Sequence, residues 1–159
     1  MITTMTDAQA AAAIRAHHDE LAAGLRQRVS AVSAAVRDGG SVGAAAAVGA
    51  AAADALAYLD TEIIPHARAE EDALYPAGDT GTSALLVRSM RDEHVNLVAH
   101  VEALRGASEP VAIACAAAAI GALFESHLHK ENELLVPVLV EDPAVSLGSL
   151  LAGMHERLG

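Results

Sequence analysis

Two histidine–glutamate pairs in this chain of 159 residues have a spacing that suits metal binding. His66 precedes Glu70 by four residues, and His127 precedes Glu131 by four residues. In an α-helix, residues four apart lie on the same face, one turn removed, so each pair can point at one place. Imidazole nitrogens and carboxylate oxygens are ligands of first-row transition metals. Each pair therefore predicts part of a metal site on a helix.

The sequence after each pair repeats as well, which indicates that the two segments are structural equivalents. Eight and ten residues after each histidine stand a leucine and a proline, namely Leu74 and Pro76 in one segment and Leu135 and Pro137 in the other.

Two further histidines, His18 and His94, hold matching positions in the apolar stripes of two other predicted helices. The stripe favours His18 over its neighbour His17. Polar groups converging in a core are costly to bury unless they are paired, and two cations would offset that cost. A pair of carboxylates suits a pair of metals in a helical bundle. The predicted metal ligands are His18, His66, Glu70, His94, His127 and Glu131.

Composition excludes several classes of protein. Aromatic residues make up only 2% of the chain against 53% hydrophobic residues, which argues against a β-sandwich and for Ala-rich helices. A net charge of −11 argues against a nucleic-acid or anionic-membrane partner. The single cysteine excludes an internal disulfide and a Cys-rich metal site. With no apolar stretch judged long enough to span a bilayer and no secretion signal, we expect a cytoplasmic protein.

Turn and capping residues divide the chain into helices. Thr6 with Gln9 predicts a capping-box start, and the first helix should end near residue 38. The second should run from Ser41 to about residue 76 with a kink at Pro65, the third from Thr82 or Ser83 to about 106, and the fourth from Pro110 to about 140. A short fifth helix should span about 143–158. We predict an all-α, single domain (1–159): an antiparallel up-down four-helix bundle with its core at about 7–140.

The order H…HxxxE…H…HxxxE, together with the sequence PHARAEEDALYP around His66, resembles the hemerythrin-like (HHE cation-binding) family over about residues 10–140. The resemblance implies a four-helix bundle that holds two iron ions. It also implies that Glu70 and Glu131 bridge the irons beside an oxo or hydroxo group. The choice of iron over manganese or zinc rests on the family, because these ligand types do not discriminate among them.

The chain departs from oxygen-carrying members of that family at two positions. Val98 stands where they have a fifth histidine, four residues after His94, and Asn132 stands where they have an aspartate. Four histidines over two irons would leave one coordination position open on each, unless Tyr58 or His17 fills it. Adjacent open positions suit dioxygen, hydrogen peroxide or nitric oxide.

The predicted function is therefore binding or turnover of one of these small ligands, with a catalase-like activity as the enzyme version. The alternative is an iron-binding, sensing or metal-buffering protein without turnover. Iron storage is disfavoured, because nothing in the sequence builds a many-iron cavity. We expect a monomer or weak homo-oligomer with no nucleic-acid or membrane partner, although a separate redox partner is possible.

The other four histidines are not predicted to bind metal. His129 and Glu133 form an overlapping HxxxE pair on the opposite face of their helix, and we expect it to be solvated. His17, His100 and His155 are expected at the surface, with His17 as a possible partner of a ligand.

Other residues near the motifs have structural or supporting interpretations. Cys115 is expected to be a small core residue, and Phe124 to form a wall of the metal pocket. Tyr75 is expected to cap the end of the bundle, or to donate a hydrogen bond or an electron. Glu71 and Asp72 should face water or order a ligand histidine.

Overall fold

The computed structural model describes residues 5–39 and 43–158, with side chains described as far as residue 154. Over these ranges the regular structure is entirely helical, which confirms the predicted all-α class and is consistent with a helical bundle. The α-helices are α1 (Asp7–Arg37), α2 (Ala44–Tyr58), α3 (Ile64–Ala73), α4 (Tyr75–Gly78), α5 (Ala84–Gly106), α6 (Pro110–Lys130), α7 (Val136–Glu141) and α8 (Leu147–Leu158).

Several helix ends agree with the sequence. The capping box at the start of α1 is present, with the Gln9 backbone N–H donating to Thr6 Oγ1 at 3.2 Å. Pro110 is the first residue of α6. Ser41 lies outside the described residues, and α2 is preceded by Gly43 with a φ of 93°.

The C-terminal helix begins at Leu147, several residues later than predicted. The Ala144 backbone N–H donates to Asp142 Oδ1 at 2.8 Å, and the backbone of Asp142 is extended. An aspartate that accepts from a backbone N–H two residues on stabilises a turn in place of a helix. The segment that was expected to open the helix is therefore a turn.

Two π-helical turns interrupt the long helices. Leu59–Ile63 joins α2 to α3, and Glu131–Leu135 joins α6 to α7. The residue after each turn, Ile64 or Val136, donates its N–H to a carbonyl five residues back, and the next residue is a proline. Because proline has no N–H and crowds the preceding turn, it favours such an interruption. The kink predicted at Pro65 takes this form.

The second π turn also keeps the buried face of its helix in register. His127, Glu131, Leu135 and Leu139 are all buried and follow one another at intervals of four residues. An α-helix turns once in 3.6 residues, so a run of intervals of four drifts round the helix. A wider turn within the run reduces the drift and leaves all four side chains facing the interior.

The core consists of two apolar clusters separated by a layer of buried polar side chains. On α1, Ile14 belongs to one cluster and Leu21 to the other, with His18 between them. On α5, Met90 and Leu97 flank His94 in the same way. Helix α8 adds Leu147, Leu151 and Met154 to the cluster that contains Ile14 and Met90. The bundle thus holds its polar residues at one level.

Two sequence expectations are corrected by the helix α6. Cys115 is exposed and not a core residue, because Ile113 and Ala117 on either side of it carry the buried face. The helical stretch Pro110–Glu141 is also long and apolar enough to cross a membrane by length and composition, whereas no such stretch was expected. Core helices of soluble proteins meet the same criteria, and this one carries the buried His127 and Glu131.

Candidate metal centre

The structure brings all six predicted ligands together in the buried polar layer. His94 is the most exposed, at 6% of its surface, and Glu131 has no exposed surface. His18 comes from α1, His66 and Glu70 from α3, His94 from α5 and His127 from α6, while Glu131 opens the second π turn. The preference for His18 over His17 is consistent with this placement, since His17 is exposed.

Glu70 lies at the centre of the cluster and faces a pair of histidines with each carboxylate oxygen. Its Oε1 lies 3.2 Å from His18 Nε2 and 2.7 Å from His66 Nε2. Its Oε2 lies 3.6 Å from His94 Nε2 and 3.9 Å from His127 Nε2. We call the two sides the His18 half and the His94 half.

The potential ligand atoms form two groups that share Glu70. Within each group, His18–His66–Glu70 and Glu70–His94–His127, these atoms lie within 4.8 Å of one another. Glu131 approaches both halves, because its Oε2 lies 3.6 Å from His18 Nε2 and 3.9 Å from His127 Nε2. Both carboxylates therefore span the same two groups of histidines.

Three of the four histidines are held through their other ring nitrogen. A carboxylate or amide oxygen accepts from Nδ1–H, which leaves the lone pair on Nε2 free to face the cluster. The bonds join His18 to Asn132 Oδ1 at 2.7 Å, His94 to Glu71 Oε1 at 2.7 Å, and His127 to Glu93 Oε2 at 3.0 Å.

His66 is the exception. Its Nδ1 is buried and has no hydrogen-bond partner among the described residues. Its ring packs edge-on against His17, with centroids 5.0 Å apart. Although His17 is largely exposed, its partial burial and the neighbouring His66 and His18 lower its pKa.

Several buried atoms of the cluster lack the partner that burial requires. Within the described part of the chain, Glu70 Oε2 and both oxygens of Glu131 have no hydrogen bond. The Nε2 atoms of His94 and His127 face each other at 3.1 Å. Converging lone pairs and unpaired buried oxygens are unfavourable unless a cation lies among them. This donor set therefore fits metal cations.

The two glutamates differ in their charge state without a metal. Burial acts to raise the pKa of Glu70, but the neighbouring imidazoles of His66, His127 and His18 hold that pKa well below its usual range. Burial and the negative charge of Glu70 raise the pKa of Glu131 well above its usual range. One carboxylate is thus ready to bind a cation, and the other needs the cation to favour its charged form.

Tyr75 reaches the same cluster. Its side chain is completely buried, and its hydroxyl lies 3.2 Å from His127 Nε2 and 3.4 Å from His94 Nε2. Burial and the charges of Glu70 and Glu131 raise the pKa of Tyr75, which keeps the phenol neutral. Of the two interpretations of Tyr75, the hydrogen-bonding one agrees with its position.

Tyr58 and His17, the side chains that would have filled a coordination position expected to be open, lie elsewhere. The Tyr58 hydroxyl donates to the Leu21 carbonyl at 3.2 Å, and Arg28 lies over its ring. His17 is not in either group of ligand atoms. The hydroxyl of Tyr75 faces the His94 half instead.

A small chamber borders the His18 half. It measures about 80 Å³ and is walled mostly by aliphatic side chains from α1, α3 and α8. Its lining is Ala13, Ile14, His17, His18, His66, Glu70, Leu74, Leu151 and Met154.

The sequence did not identify two residues that support the cluster, Glu93 and Asn132, whereas one interpretation of Glu71 agrees with the structure. Glu93 was missed although it directly precedes His94, because it serves His127 on the neighbouring helix; Lys130 also donates to it. Asn132 was noted as a departure and not as a partner of His18. Glu71 accepts a hydrogen bond from His94, one of the predicted ligands, in agreement with one of its two interpretations.

The remaining expectations concern residues away from the cluster. His129 is exposed, as predicted, whereas His100 is half-buried. Phe124 is buried in the apolar cluster next to the polar layer. The side chain of His155 lies outside the described residues.

The comparisons with known proteins agree with this geometry. The family model described as hemerythrin HHE cation binding domain matches residues 9–139 of the chain. No curated protein and no solved structure matches it significantly. The family match covers most of the sequence and all six clustered residues. This chain therefore belongs to the hemerythrin HHE cation-binding domain family.

Proposed function

We propose that this protein is a non-haem di-iron protein that binds or turns over dioxygen, hydrogen peroxide or nitric oxide. The observation that carries the proposal is the position of Glu70, whose two oxygens each face a separate pair of histidine Nε2 atoms. One carboxylate that serves two pairs of imidazoles is an arrangement for two metal ions and not for one.

The six clustered residues divide between the two ions. His18 and His66 would hold one ion, His94 and His127 the other, and Glu70 and Glu131 would be shared. An iron pair supplies a Lewis acid and a redox couple to a ligand bound next to it. The chain's own residues hold the metals at Nε2 and carboxylate oxygens, fix each ring through Nδ1, and exclude water with the apolar clusters on both sides.

The chamber supports a small ligand on the His18 half. At about 80 Å³ the chamber is the smallest of the cavities described beside the cluster, which suits a small ligand. Its aliphatic walls favour uncharged ligands. On the His94 half, the buried hydroxyl of Tyr75 lies within 3.4 Å of the Nε2 atoms of His94 and His127.

The surroundings of the site fit a soluble protein. Domains of this family are typically soluble, and the buried polar layer needs all the long helices around it. The proposal includes an antiparallel up-down arrangement of four long helical segments, a cytoplasmic location and a monomer or weak homo-oligomer. A net charge of −11 opposes binding to nucleic acid.

Metal analysis of the reconstituted protein tests the centre. Metal-free chain is incubated with Fe²⁺ without oxygen, desalted and analysed for iron per chain. We expect two irons in the wild type and fewer in His66→Ala. The matched control is His129→Ala, because His129 belongs to the exposed HxxxE pair on the helix of His127. Equal iron in all three proteins would refute the assigned ligands.

Oxygen evolution from added hydrogen peroxide then separates turnover from binding. We expect the iron-loaded wild type to evolve dioxygen and His66→Ala to evolve much less. Two irons per chain without any evolution would assign the alternative function, a metal-binding sensor or buffer. Many more than two irons per chain would instead indicate storage.

A further inference from the structure

A large polar pocket lies directly outside the buried cluster. It measures about 510 Å³ and is bordered by the start of α3, the first π turn and α1. We call it the vestibule, and its lining is His17, Thr61, Glu62, Pro65, His66, Arg68, Ala69 and Asp72.

The cavities described beside the cluster differ in size and in the charges on their walls. The chamber is aliphatic apart from the cluster residues and His17, and at about 80 Å³ it is much smaller than the vestibule. A groove of about 280 Å³ beside His94 is walled by Ile64, Val95 and Val98, and its charged residues are Arg68 and one carboxylate, Glu71, which already bonds His94. The vestibule shares Arg68 but has two carboxylates, Glu62 and Asp72, and the room for a hydrated ion.

An independent feature links the vestibule to the cluster. His66 lines the vestibule although only 2% of its surface is exposed, so it forms the buried end of the pocket. Its Nδ1 has no hydrogen-bond partner among the described residues, unlike Nδ1 of the other three clustered histidines. Of the four rings, this one is the least restrained, and it faces the pocket with the carboxylates.

We propose that the vestibule is a binding site for a hydrated divalent cation and the route by which metal reaches the buried cluster. Glu62 and Asp72 attract the ion, and His17 offers an imidazole next to His66. The inference rests on the proposed metal centre and adds the path that fills it.

The geometry gives the order of contacts along this route. The ring of His17 lines both the vestibule and the chamber, and its centroid lies 5.0 Å from that of His66. His66 Nε2 lies 2.7 Å from Glu70 Oε1, so a cation that passes His66 meets the central carboxylate next. Nδ1 of His66 has no hydrogen-bond partner among the described residues, so a turn of this ring would break only the contact of Nε2 with Glu70.

The rate of metal uptake tests the route. Metal-free chain is mixed rapidly with Co²⁺ at low ionic strength, and the visible absorption of bound Co²⁺ is followed until it stops changing. Glu62→Gln should slow uptake about three- to tenfold, because it removes a negative charge from the path of a doubly charged ion. His17→Gln should slow it as well. Arg68→Gln should accelerate it, because the charge it removes repels the ion.

The matched control is Glu102→Gln, which makes the same charge change on α5, where Glu102 pairs with Arg105 at the surface. At high salt, the rates of the wild type and Glu62→Gln should converge, since salt screens an exposed charge. All variants should reach the same final Co²⁺ content as the wild type, which shows that they are folded.

The possible failures are distinct. If Glu62→Gln takes up Co²⁺ no more slowly than Glu102→Gln, or if Arg68→Gln is not faster than the wild type, the route is wrong while the metal centre stands. If the wild-type chain binds no Co²⁺ at all, the proposed metal centre is wrong, and the route is wrong with it.

Discussion

At the level of single residues, the two halves of the cluster are held with different strength. Both histidines of the His94 half donate Nδ1–H to a carboxylate, Glu71 or Glu93. On the His18 half, Nδ1 of His18 has a neutral amide as its partner, and Nδ1 of His66 has none among the described residues. Hydrogen bonds to charged groups are about twice as strong as neutral ones. The His94 half is therefore better preorganised for a metal.

This difference predicts that Co²⁺ binds with two affinities, and that the His94 half binds it more tightly. Glu93→Gln should weaken this tighter binding step. Loss of the carboxylate that orients His127 should lower that affinity about ten- to hundredfold. A competition titration against a chelator measures both binding steps. Glu125→Gln is the control, because Glu125 lies on α6, the helix of His127, in an exposed pair with Arg26. Equal weakening of both steps by Glu93→Gln would contradict the assignment.

The buried carboxyl of Glu131 is expected to lower the stability of the metal-free protein and to strengthen its binding of metal. Burial and the charge of Glu70 disfavour its ionised form and raise its pKa, so burying this carboxyl lowers the stability of the metal-free fold. Glu131→Gln, a neutral side chain of the same size, should raise the free energy of unfolding of the metal-free protein by about 1 to 2 kcal/mol and weaken metal binding. Urea denaturation with and without Co²⁺ measures both effects.

Glu133→Gln is the comparison for that experiment, since Glu133 lies in the same π turn but pairs with Arg15 at the surface, 2.5 Å away. Its effect should stay within about 0.5 kcal/mol. A metal-free Glu131→Gln protein less stable than the wild type would show that the carboxyl of Glu131 stabilises the fold.

At the level of elements, α8 is packed closely against the start of the chain. A Cβ on Gly148 would lie 2.5 Å from the backbone carbonyl oxygen of Met5, and the Gly148 N–H donates to Asp7 Oδ1 at 3.2 Å. Gly153, on the same helix, has open space at its Cβ position. The two glycines thus serve as a matched pair.

Gly148→Ala should destabilise the protein by about 1 to 2 kcal/mol, because a backbone atom must move to make room. Gly153→Ala should stabilise it by about 0.5 to 1 kcal/mol through the higher helix propensity of alanine. Thermal unfolding of the two variants measures the difference. Stabilisation by both substitutions would mean that α8 does not approach the N-terminal segment this closely.

The elements also show how far sequence predicts this protein. Apolar spacing and caps predict the long helices because these signals are local, and duplicated HxxxE pairs on known faces predict which six residues meet. The π turns require a choice between hydrogen-bond patterns that only packing decides. The roles of Glu93 and Asn132 depend on contacts between helices distant in sequence, which one helix's periodicity does not contain.

At the level of the whole molecule, the polar layer couples folding to metal binding. The apolar clusters on both sides hold four imidazoles and two carboxylates in place, although several of their atoms lack partners in the described chain. The free energy that the clusters supply is thus partly offset by the layer between them. A cation bound only to the folded state removes this offset and adds stability by mass action.

Metal should therefore raise the melting temperature strongly. Free metal at about a thousand times Kd adds about 4 kcal/mol, which for a chain of this size corresponds to a shift of roughly 10 °C. Calorimetry of the protein with Co²⁺ and with a chelator measures the shift. His66→Ala should show a smaller one, because it breaks a ligand group, while His129→Ala should match the wild type. If the chelator leaves the melting temperature of the wild type unchanged, metal is not part of the folded structure, and the buried polar layer must be satisfied in another way.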